Sequence, residues 1–77
     1  MSESENIMNK LFKDCKEQLL KCKREASHST SEIESIYLVG KASGIYSIFA
    51  EAHGYGNRAD ELRDIFLLVG KKAEQSS

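Results

Sequence analysis

The sequence contains no proline and no tryptophan, and only 8% of it is aromatic. Proline locks its own φ and lacks an amide hydrogen, so a chain without it is free to run long unbroken helices. Cysteine is scarce, with Cys15 and Cys22 the only two. On one helix they stand about 10 Å apart along the axis, beyond disulfide reach. They read as small buried hydrophobes in a reducing compartment; the competing reading is a bridge between two copies. With His28 and His53 they form no recognised metal-ligand spacing. No nucleophile has both a base and an orienting group beside it. Gly54-Tyr55-Gly56 follows a helix rather than a strand and lacks the third glycine of a phosphate-binding loop. These gaps argue against an enzyme, a metal site and any cofactor.

Charge of one sign is also missing. Lysine and arginine number 11 against 12 acids, so the net charge is −1. No global field selects nucleic acid or an anionic membrane. The longest apolar run, residues 36–50, is about 15 residues long with Lys41 inside it, short of the ~20 that span a bilayer. The opening MSESEN has no apolar core of a secretory signal, and we expect a cytoplasmic protein.

What is present is helical periodicity. The run IYLVGKASGIYSIFA belongs to a helix expected over 31–53. Ser31 and Glu34 have capping-box spacing, and Glu32 and Glu34 suit the positive end of the dipole. At 100° per residue, Leu38, Ala42, Ile45 and Phe49 share one face, and Gly40, Ser43, Gly44 and Ser47 the opposite one. A helix apolar nearly all round is buried on more than one side. Each mid-helix glycine costs about 0.5–1 kcal/mol relative to alanine. Gly40-x-x-x-Gly44 offsets that cost if it admits another helix backbone; the competing reading is a kink or break at 40–44.

The first helix is expected over 5–26, after a frayed start in which Ser2 or Ser4 caps. Met8, Phe12, Cys15, Leu19, Cys22 and Ala26 repeat as 4, 3, 4, 3, 4, a seam for shallow-angle packing. Its other face carries Lys10, Lys13, Lys21 and Arg24 around Leu20. From Lys10 to Arg24 six bases meet two acids, so that stretch is +4 and the remainder −5. The plain reading is a solvated face. The functional one is a docking surface for an acidic partner. Residues 27–30 read as a short polar loop.

Gly54 suits a left-handed helix cap, and Asn57 is expected to cap a third helix over 57–75, with fraying beyond it. Ala59, Leu62, Phe66, Val69 and Ala73 form its seam. Leu67 lies off that seam and Leu68 extends it, which implies more apolar surface than three helices hide.

The expected fold is all-α: one domain, a three-helix antiparallel bundle running up-down-up, completed by homo-oligomerisation. Gly40, Gly44, Ser47, Leu67 and Leu68 are the candidate helix-packing or oligomer residues. The expected function is a non-enzymatic module that binds a larger protein as inhibitor, adaptor or regulator. Its candidate contacts are Lys10, Lys13, Leu20, Lys21 and Arg24, with Tyr55 at the second turn as an anchor. The alternative is a small DNA-binding regulator, using the basic face or a helix-turn-helix around Gly54. Against it, the reader helix would carry Asp60, Glu61 and Asp64, a poor match for phosphate.

Overall fold

The computed structural model describes the backbone of residues 3–76 and the side chains of residues 5–74. Met1, Ser2 and Ser77, where fraying and a first cap were expected, lie outside the described residues. Three helices pack pairwise against one another: α1 (Glu3–His28), α2 (Glu32–His53) and α3 (Asn57–Ser76). The molecule is a rod of 44 × 17 × 15 Å.

Helix α1 runs two residues further at each end than expected. Ser4 lies inside it rather than capping it. Ser27 is helical and donates its Oγ hydrogen to the Lys23 carbonyl at 3.0 Å, and His28 closes the helix. The turn is therefore only 29–31, and three serines tie it. Ser29 Oγ donates to the Ser31 carbonyl at 3.0 Å, and Ser35 Oγ donates to Ser29 Oγ at 3.1 Å. Ser31 then accepts from the Glu34 amide at 3.3 Å, as an N-cap should. This network explains why Ser29 and Ser35 are buried although polar.

Helix α2 is continuous through Gly40 and Gly44, so the break reading fails. It ends where Gly54 turns to φ 93° and donates to the Ala50 carbonyl at 2.8 Å. One correction concerns α3. The first intrahelical bond runs from the Asp60 amide to the Gly56 carbonyl, so Gly56 holds the cap position and Asn57 is the first helical residue. A glycine serves there at little cost.

The seams meet in one core: Leu19, Cys22 and Ala26 from α1, Leu38, Ala42 and Phe49 from α2, and Leu62, Ile65, Val69 and Ala73 from α3. Aromatic contacts set the relative positions. Phe12 lies 5.9 Å from Phe49, and Tyr46 stacks on Phe66 at 6.1 Å. Asn9 and Lys16 of α1 reach Arg58 and Glu61 in the first turns of α3.

The expectation that α2 is sandwiched on two opposing faces is not met within one chain. Gly40 is exposed and Gly44 half-buried, and a Cβ built at either would meet nothing within 4 Å. The reason is geometric. In a triangle of helices, the two neighbours of any helix lie on adjacent sides, so a third face always stays open.

Candidate interaction surfaces

Three surfaces remain open on this rod. The first is the outer face of α1. Lys10, Lys13, Lys21 and Arg24 are all exposed there, on the side away from the seam. Leu20, expected at the centre of that face, is half-buried and packs against the core, so the fold already uses it. Lys16, one turn away, is engaged with Glu61 at 2.6 Å. The surface is therefore a mainly cationic strip, with the exposed Glu17 among its four bases and a thin apolar edge, suited to an acidic partner.

The second surface is the end of the rod where α2 meets α3. Tyr55 is 73% exposed on the turn. Behind it lies a shallow pocket of about 190 Å³, lined by Met8, Phe49, His53, Asn57 and Arg58 among others. Two of its lining side chains are already engaged. The Arg58 guanidinium sits 5.6 Å over the Phe12 ring and donates to Asn9 Oδ1. The His53 ring lies 5.0 Å from that of Phe49. Tyr55 thus stands exposed at the tip, beside that pocket.

The third surface is the outer face of α2. Ile33, Ile36, Tyr37 and Ile48 are 82, 66, 63 and 72% exposed, beside Gly40, Gly44 and Ser47. Sequence reasoning named the small residues and missed these large ones. The signal was present: a helix apolar all round, in a fold whose geometry leaves one side of it uncovered. Leu67 and Leu68 of α3 are exposed as well, but at 100° per residue they fall on different flanks of α3. Between α2 and α3 runs an open groove of about 290 Å³ with Ile36, Val39, Gly70 and Ala73 in its lining.

Covalent chemistry has little to work with. Burial pushes the Cys15 and Cys22 thiols above their ordinary pKa, so both stay protonated and weakly nucleophilic at neutral pH. Among the described residues no group of three or more His, Cys, Asp or Glu side chains is placed to hold a metal ion. No helix among them is long and apolar enough to cross a membrane. On α3, Arg63 is drawn to Asp60 and Asp64 at 3.6 and 3.5 Å, and Arg58 is turned toward α1. The first turns of α3 present three exposed acids, Asp60, Glu61 and Asp64, against one exposed base, Arg63, which is unfavourable for a DNA-reading helix.

Compared with protein-family models, with curated proteins and with solved structures, the chain matches none.

Proposed function

We propose that this chain is a non-enzymatic protein–protein interaction module: an up-down-up antiparallel bundle that self-associates and occupies a surface on a larger cytoplasmic partner as inhibitor, adaptor or regulator. What supports this is the apolar surface left uncovered on α2. The accessible surface of the chain is 5221 Å². A compact monomer of 8.6 kDa should expose roughly 4,700 Å². The excess of about 500 Å² goes with the rod shape, and the largest group of exposed large apolar side chains on any one helix is the four of α2.

The cationic strip of α1 then serves the partner. It lies on a different helix from the apolar face, so both surfaces can be used at once. Basic residues at the rim of a contact speed encounter with an acidic protein more than they add affinity. Tyr55 adds a large side chain that loses little entropy on binding.

Affinity capture from the native cell tests the proposal, run with the wild type and with Lys13→Glu/Arg24→Glu. A protein recovered by the wild type and lost by the variant is the expected outcome. Retention by both removes the basic strip from the contact, and recovery of nothing above background ends the module reading. A duplex-binding titration from low to moderate salt runs alongside. Binding that weakens by orders of magnitude over that range would point to phosphate contacts and a nucleic-acid partner instead.

A further inference from the structure

The glycines of α2 have no role inside this chain. Mid-helix glycine weakens a helix, and here no neighbouring atom lies where a side chain would go. No turn or positive φ requires them either, since the positive φ among the described glycines belongs to Gly54 alone. Alanine would fit and would hold the helix better. A bare backbone at 40 and 44 is useful only to something that comes close from outside.

The shape of that something can be read from the i, i+4 row on which the glycines stand. Ile36, Gly40, Gly44 and Ile48 run large, small, small, large. The row is a palindrome about its centre. Paired with a second copy of α2 running the opposite way, Gly40 meets Gly44 and Ile36 meets Ile48 on both sides of the two-fold axis, so the small residues coincide at the centre. Rows of this spacing interdigitate when helices cross at about −40 to −50°, the crossing at which small residues let backbones touch. The glycines then fall at the crossing point, and Ile36 and Ile48 of each copy flank the other helix. Between Glu34 and Glu51 the only charge is Lys41, at the edge of the face, so little charge has to be desolvated.

The area is sufficient. At roughly 150–200 Å² per large side chain, the exposed parts of Ile33, Ile36, Tyr37 and Ile48 come to about 500 Å². With the glycines, Ser47 and the Lys41 stem, each copy offers approximately 600–700 Å², or 1,200–1,400 Å² in total, within the range of stable interfaces.

We propose that α2 crosses α2 of a second copy at Gly40 and Gly44, forming a two-fold dimer; this rests on the self-association proposed above and assigns its site. Sedimentation equilibrium of the full chain over a wide concentration range, with helicity followed by circular dichroism, tests it. The wild type is expected to dimerise. Gly44→Leu should raise the dissociation constant about 100-fold or more with helicity unchanged. Gly40→Ala/Gly44→Ala gives a second readout: the dilute monomer should melt at a higher temperature while the dimer weakens. A wild type monomeric at every concentration overturns both the self-association and the crossing. A dimer whose dissociation constant neither glycine variant moves overturns the crossing alone and leaves self-association standing at another face.

Discussion

Cys22 belongs to the same buried cluster as Leu19, Leu38 and Leu62, and its environment decides its chemistry. Burial is the largest cause that raises its thiol pKa above 9.0; Lys41 and Lys21 pull the other way and Glu25 adds to the rise. Cys15, half-buried, moves in the same direction for the same main reason, with Asp14 adding to it. A raised folded-state pKa means the folded chain keeps a proton that the unfolded chain releases. The resulting stability is complete below about pH 9 and is lost as pH climbs through the folded-state values. The urea midpoint should therefore fall as pH rises above about 9, and fall less steeply for Cys22→Ala. Equal slopes in the two proteins would show that the thiol contributes nothing to this loss.

The elements are held at their ends by a few specific groups. Ser31 starts α2 and Gly54 stops it. At φ 93° and ψ 163°, Gly54 occupies a region that side chains rarely enter. Gly54→Ala is expected to destabilise the chain by about 1–3 kcal/mol, read from thermal unfolding. A change within error would mean that the turn can relax around a methyl group. Both cap positions were legible in the sequence, because a serine three residues before a glutamate and a glycine after an apolar run each have a mechanism; the conformation of Gly54 was not, since its ψ of 163° lies far from the left-handed helical cap expected there. The end of α1 was not legible. Ser27 and His28 look like loop residues; in the fold both are helical, and the Ser27 hydroxyl turns back on the Lys23 carbonyl instead of capping the turn.

At the scale of the whole rod, packing outweighs surface charge. Leu62 is fully buried between the three seams, so Leu62→Ala should cost about 2–5 kcal/mol. The Lys16–Glu61 pair is short at 2.6 Å, but both side chains are well exposed and screened by water. Lys16→Ala should therefore cost no more than about 1 kcal/mol. Urea unfolding of both variants checks the ranking, and a larger loss for Lys16→Ala would contradict it. The rod shape has its own consequence. Its radius of gyration is 13.2 Å, where a compact domain of this length comes to about 11.5 Å. Three long helices side by side give a thin core and much surface, which leaves the outer face of α2 available.

The sequence by itself determined the helical class, the three seams and most of the residues that fill the core. Those follow from local periodicity, from capping chemistry and from the absence of proline, and each depends only on residues a few positions apart. Only the tertiary structure decided which side of α2 is left open. A periodic pattern shows how many faces of a helix are apolar; it does not say how many neighbours there are to cover them. Two neighbours on adjacent sides cover Leu38, Ala42 and Phe49 and leave Ile33, Ile36, Tyr37 and Ile48 in water.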